Sequence, residues 1–117
     1  MRIFDHTIRL TGVKIYNRQN CCGDRLKSVE VRAGINSVEA DYKGRITANS
    51  LCGTFVGPGK DAGVYTITCN TPIHANIVTL QIVESGEQTL QLDEVTYADG
   101  ISDRLYIFYE LIYLLNI

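Results

Sequence analysis

Apolar and polar side chains alternate in several short stretches of the chain. A period of two residues places the apolar side chains on one face and predicts half-buried β-strands. In the first stretch the alternation is interrupted at Thr11 and Gly12, which predicts a β-bulge. The predicted strands are Thr7–Tyr16, Leu26–Arg32, Val64–Cys69 and Leu90–Tyr97, together with a near-continuous apolar run over Ile77–Val83.

Turn-forming residues separate these stretches. Two weaker strand candidates, Asn36–Tyr42 and Ile46–Ala48, lie on either side of a glycine turn. The segment Gly53–Gly63 contains a Gly-Pro-Gly sequence and is predicted to be a loop. Several short strands between turns favour an all-β sandwich or jelly roll.

The end of the chain departs from this pattern. Residues 105–117 are apolar or aromatic except Glu110 and Asn116, and they are too few to cross a bilayer as a helix. A final strand, a helix packed on the sandwich and a non-native end are all compatible with this composition. We therefore divide the chain into a β domain over residues 1–98 and an apolar tail over residues 99–117.

Composition excludes several functional classes. The 117 residues suit one domain, and 45% hydrophobic residues are enough for one packed core. A net charge of −2 argues against a nucleic-acid module, and no apolar run of about 18 residues is long enough for a membrane span. No Ser/His/Asp arrangement, phosphate loop or carboxylate pair is evident, so the sequence predicts no enzyme.

The four cysteines, an even number in a short β-rich chain, suggest two disulfides and an oxidising compartment. A zinc site is the competing interpretation, but there is no C-x-x-C pair and His74 has no histidine near it in the sequence. The first residues lack the apolar region of a signal peptide. We therefore expect the chain to begin inside a larger secreted protein.

The densest polar segment is Tyr16–Leu26, in which Arg18 and Arg25 bracket Cys21 and Cys22. Adjacent Cα atoms are about 3.8 Å apart, whereas ordinary disulfides prefer about 4.4–6.8 Å, so a bond between these cysteines would close a small strained ring. A rigid sulfur surface beside two guanidinium forks suits a deoxy sugar, which has hydroxyls on one side and a methyl on the other. The alternatives are a solvated loop with two free thiols, or a redox pair, although adjacent cysteines lack the helix N-terminal placement of redox thiols.

This segment resembles the motif R-x-D-C-C-x-x-R-L of the F-type lectins, also called the fucolectin/tachylectin-4/pentraxin-1 domain. The family's next strand, of the type G-x-E-V-R-V-G, has its counterpart in Ser28–Gly34. The resemblance extends in the same order from about Thr7 to Tyr97, and its further counterparts are Leu51-Cys52-Gly53, Cys69 and Leu90-Gln91-Leu92-Asp93-Glu94-Val95.

The resemblance implies a jelly-roll β-sandwich of the galactose-binding, discoidin-like type that binds L-fucose. Arg18 and Arg25 would then donate hydrogen bonds to the sugar hydroxyls and ring oxygen. A Cys21–Cys22 disulfide would pack against the sugar ring.

The resemblance also implies a second disulfide and a structural calcium ion. The disulfide would join Cys52 to Cys69. Glu94 matches the family's calcium-binding glutamate, whose hard oxygen suits that ion. The alternative for Glu94 is a solvent-facing strand residue.

Three departures from the family pattern concern the sugar site and its surroundings. The family's third sugar ligand is a histidine about two dozen residues before the first arginine, and His6 is too close to Arg18 for that role. Asn20 replaces the family's aspartate; it can accept a hydrogen bond from Arg18 but supplies no charge. Asp93 replaces a family cysteine. The chain thus resembles an N-terminally incomplete domain with an incomplete calcium site.

Two functional hypotheses follow. The first is a non-enzymatic lectin module of a secreted defence or recognition protein, with fucosylated glycans as its partners. The second is a degenerate domain of the same fold that binds no sugar and serves a structural or assembly role, as a homo-oligomer or as part of a multidomain protein.

Overall fold

The computed structural model describes residues 2–35, 46–84, 90–99 and 104–108, with side chains described for all but 2–5, 99 and 104–108. The described residues form an all-β fold, as the alternating pattern predicts. One short 3-10 helix, η1, spans Gly23–Arg25. The strands are β1 (Arg2–Asn17), β2 (Val29–Gly34), β3 (Ser50–Phe55), β4 (Val64–Ile82), β5 (Leu92–Asp99) and β6 (Arg104–Phe108).

All six strands belong to one antiparallel sheet in the order β3-β2-β4-β1-β5-β6. The long strand β4 organises this sheet. Its residues from Val64 to Val78 pair with β1, and its last six residues, Ile77–Ile82, pair with β2. The jelly-roll topology remains a prediction.

The predicted alternation along the first part of β4 is confirmed. Ile67 and Cys69 are buried, whereas Thr66 and Thr68 are exposed. The two strands that the sequence predicts on either side of Pro72 are instead one continuous strand. A proline has no N–H to donate to a ladder; here it lies where the register with β1 shifts between Ile73 and Thr68.

Other boundaries also differ from the predicted ones. The bulge predicted at Thr11 and Gly12 is confirmed, because the register of β1 shifts between Leu10 and Gly12. The predicted start of the loop Gly53–Gly63 is wrong, because β3 continues to Phe55. The strand predicted from Leu26 begins at Val29.

Within the predicted tail, residues 104–108 form strand β6. Residues 36–45, which hold one weaker strand candidate, and 109–117 lie outside the described residues. The described residues include no helix with the length and hydropathy of a bilayer-crossing segment.

Buried residues of β1, β2 and β4 form most of the hydrophobic core. Complete burial of an aliphatic side chain contributes about 1.5–3 kcal/mol, so this cluster is the main source of stability. Cys52 of β3 is bonded to Cys69 of β4, with 4.2 Å between the two Cα atoms. Strand β3 therefore lies against the first part of β4, although among the described strands it pairs with β2 alone. The least exposed core residues are Leu10, Val13, Ile15, Val29, Val31, Cys52, Val78, Leu80 and Ile82.

Glu84 links the end of β4 to the start of β2. The Ser28 hydroxyl donates to Glu84 Oε1 at 2.6 Å, and Lys27 Nζ lies 3.4 Å from Oε2. The hydrogen bond from Ser28 is the main cause that lowers the pKa of Glu84 below its ordinary value of 4.5; Lys27 adds to this effect and desolvation opposes it.

A carboxyl whose pKa is lower in the folded state stabilises the fold above its unfolded pKa, and this stabilisation is lost as pH falls through the folded value. We expect Glu84→Gln to lower the melting temperature slightly at neutral pH and to have no effect below the folded pKa. Thermal melts over a pH series check this, with the exposed Asp93→Asn as the control. An equal effect of Glu84→Gln at all pH values would contradict it.

Candidate functional site

The candidate site is built on the loop that joins β1 to β2. Cys22 adopts a left-handed conformation with φ of 65°, which turns the chain into η1. The N–H groups of Arg25 and Leu26 donate to the carbonyls of Cys22 and Gly23, both at 3.1 Å. This tight turn places Arg25 at the end of η1 and Leu26 in the core.

A second loop, residues 56–63, packs against the first. The Ala62 N–H donates to the Arg18 carbonyl at 2.8 Å, and the Gly59 N–H donates to the Leu26 carbonyl at 2.7 Å. The Gly23 N–H donates to Asp61 Oδ1 at 2.7 Å. A Cβ on Gly23 would lie 2.4 Å from the Asp61 backbone nitrogen, so only glycine fits there.

Asn17 holds the two loops together. Its side chain is buried, with 2% exposure, and its Nδ2 donates to the carbonyls of Gly23 and Lys60, both at 2.9 Å. Its Oδ1 accepts the Arg18 N–H at 3.0 Å. Because both amide hydrogens are used within the protein, Asn17 positions the loop and is not a ligand donor.

The loop borders a small cleft that is partly open to solvent. Arg18 and Arg25 both line it, as does the half-buried Cys22. The buried side chains of Leu26 and Leu90 give it an apolar part. The structure therefore brings both predicted arginines and one of the paired cysteines to the same space.

Arg18 is held by Gln91, which also lines the cleft. Its Nη1 donates to Gln91 Oε1, and the remaining N–H groups of its guanidinium make no hydrogen bond within the described residues. From the family pattern, Asn20 was the residue that could accept a hydrogen bond from Arg18. Asn20 is exposed, lies outside the cleft lining, and makes no hydrogen bond to Arg18.

All four cysteines are disulfide-bonded. Cys21 and Cys22 form the vicinal bond, with 3.7 Å between their Cα atoms, and Cys52 and Cys69 form the second. Of the vicinal pair, Cys21 is exposed and Cys22 lines the cleft. The bonds agree with the oxidising compartment that the cysteine count suggests.

Glu94 lies on β5 opposite Tyr16 of β1 and is half-buried. Calcium takes about 6–8 oxygen ligands, usually with several carboxylates. Among the residues that the structure describes, no three His, Cys, Asp or Glu side chains are grouped to hold a metal ion. Glu94 therefore has no such group around it in the described part of the chain, and its role as a calcium ligand remains a prediction.

Two residues of this site, Asn17 and Gln91, are not predicted by the sequence pattern. Asn17 belongs to the polar segment, but nothing local distinguishes it from Asn20. Gln91 lies between Leu90 and Leu92 in an alternating strand pattern, which indicates only that it faces away from the core. Its contact with Arg18 depends on the pairing of β1 with β5, in which Asn17 is opposite Leu92.

Comparison of the chain with protein-family models and with curated proteins finds no match to either. The resemblance to F-type lectins therefore rests on the motif residues themselves. The function has to be argued from the chemistry of the cleft.

Proposed function

We propose that the chain is an F-type lectin module of a secreted protein and that its cleft binds L-fucose without catalysing a reaction. The observation that supports this most is that Arg18, Arg25 and Cys22 line one cleft with two buried leucines. This combination offers directional donors together with apolar atoms of Cys22, Leu26 and Leu90. A deoxy sugar has the complementary arrangement of hydroxyls and methyl group.

Each guanidinium has a role in this proposal. Arg25 is exposed and has no partner among the described residues, so its whole donor fork is available to vicinal hydroxyls. Arg18 uses one N–H on Gln91 and keeps the others for the sugar. Hydrogen bonds from a charged donor are about twice as strong as neutral ones, which favours arginine over a neutral side chain.

The structure around the loop reduces the entropic cost of binding a ligand. The vicinal ring, η1 and the Asn17 hydrogen bonds restrict the segment that carries both arginines. Binding of a ligand therefore removes little further conformational freedom from the loop. Fucosylated glycans are the proposed partners.

The test is a calorimetric or NMR titration with L-fucose, with galactose and mannose as control sugars. A hydrogen bond to a charged group contributes about 1.5–3 kcal/mol, so we expect Arg25→Ala to weaken fucose binding about tenfold or more. Arg25→Lys keeps the charge but loses the planar fork, and we expect an intermediate loss.

Arg9→Ala removes the same charge from β1, outside the cleft lining, and should leave binding unchanged. Absence of any fucose response in the unmodified protein, or an unchanged affinity in Arg25→Ala, would contradict the proposal.

A second candidate is a degenerate lectin fold with a structural role. The hydrogen bond from Arg18 to Gln91 favours it, because it joins the β1–β2 loop to the chain just before β5. In that case Gln91→Ala would lower the melting temperature, and fucose would produce no response.

A further inference from the structure

The described lining of the cleft is positively charged. It contains two guanidinium groups and no carboxylate, and its other side chains are Asn17, Cys22, Leu26, Leu90 and Gln91. The acidic residues of the two loops, Asp24 and Asp61, are both exposed and lie outside this lining.

Gln91 is the reason that the charge persists. An arginine at a ligand site is commonly fixed by a carboxylate, which cancels its charge. Here an uncharged amide oxygen accepts from Arg18, so the guanidinium is positioned while its charge remains. Asn20, also an amide, adds no negative charge to the loop.

We infer that the cleft prefers a saccharide with an anionic substituent, a sulfate ester or a carboxylate, over the neutral sugar. This inference rests on the proposed function and adds a ligand class to it. The planar forks of Arg18 and Arg25 match the oxygen geometry of both anions. The apolar part formed by Leu26 and Leu90 contacts the sugar ring. Gln91 is the specificity-determining residue, because it decides whether Arg18 retains its charge.

The experiment compares L-fucose with L-fucose 4-sulfate by calorimetric titration of the whole chain. We expect the sulfated sugar to bind about tenfold more tightly at low salt. This difference should shrink in about 0.15 M NaCl, where the Debye length is about 8 Å. Glucuronic acid and glucose are the matched pair for a carboxylate, and we expect glucuronic acid to bind more tightly than glucose.

Gln91→Glu is the decisive variant. The new carboxylate would still accept from Arg18 but would cancel its charge, so only the charge of Arg25 would remain, and we expect the preference for the sulfated sugar to fall from about tenfold to about threefold. Gln19→Glu adds the same charge at an exposed position of the loop outside the lining, and it should preserve most of the preference. Melting curves check that both variants are folded. The salt dependence of the unmodified protein tests the inference without either variant.

The outcomes separate this inference from the proposed function. Equal affinities for fucose and its sulfate overturn the inference and leave the fucose site standing. Inorganic sulfate that binds as tightly as the sulfated sugar shows an anion site without sugar recognition, and this also overturns the inference. No response to any saccharide overturns both.

Discussion

Replacement of Asn17 by aspartate is expected to lower the free energy of unfolding by about 3 kcal/mol, because a buried carbonyl and a part-buried carbonyl lose their donor. The substitution changes the shape little, but it exchanges Nδ2 for an oxygen. That oxygen then faces the carbonyls of Gly23 and Lys60, to which Nδ2 donates at 2.9 Å. The residue is 2% exposed, so water cannot take over these hydrogen bonds.

Urea denaturation of the unmodified protein and the variant measures this loss. Asn20→Asp makes the same chemical change three residues later at an exposed position, and it should have little effect on stability. If both variants lose the same stability, Asn17 does not hold the loops as described. Asn17→Asp should also lower the affinity of the cleft for any ligand, since the loop that carries both arginines loses its support.

Removal of the Cys52–Cys69 disulfide is expected to cost about 3 kcal/mol of unfolding free energy. The bond joins residues 17 apart in the sequence and therefore restricts the unfolded chain. Both sulfur-bearing side chains are buried, and Cys52 has 0% exposure. The double variant Cys52→Ala and Cys69→Ala tests this in denaturant without reducing agent.

The vicinal disulfide provides the matched control for this experiment. Cys21→Ala with Cys22→Ala also removes one disulfide, but its two cysteines are adjacent, so almost no loop is closed in the unfolded chain. We expect a much smaller loss of stability from this pair and a larger loss of fucose binding. The reverse pattern would contradict both the packing role of Cys52–Cys69 and the binding role of the vicinal ring.

Strand content follows from the sequence because burial on one face of a sheet imposes a period of two. Val64–Cys69 shows this directly, since the alternating residues Ile67 and Cys69 are the buried ones. The bulge near Gly12 was also predictable, because the alternation breaks there. Continuity of β4 was not predictable, since Pro72 is a local signal for interruption and only the register shift with β1 accommodates it.

The candidate site likewise has features that the sequence predicts and features that it does not. The amino-acid sequence is enough to predict that Arg18, Cys21, Cys22 and Arg25 lie in one short segment between two strands, because chain connectivity keeps them close. Which groups hold that segment, and what charge the cleft has, depend on the tertiary structure. Gln91 is 73 residues from Arg18 along the chain, and Lys60 is 43 residues from Asn17. Contacts at such separations depend on strand register and loop packing, which no local pattern encodes.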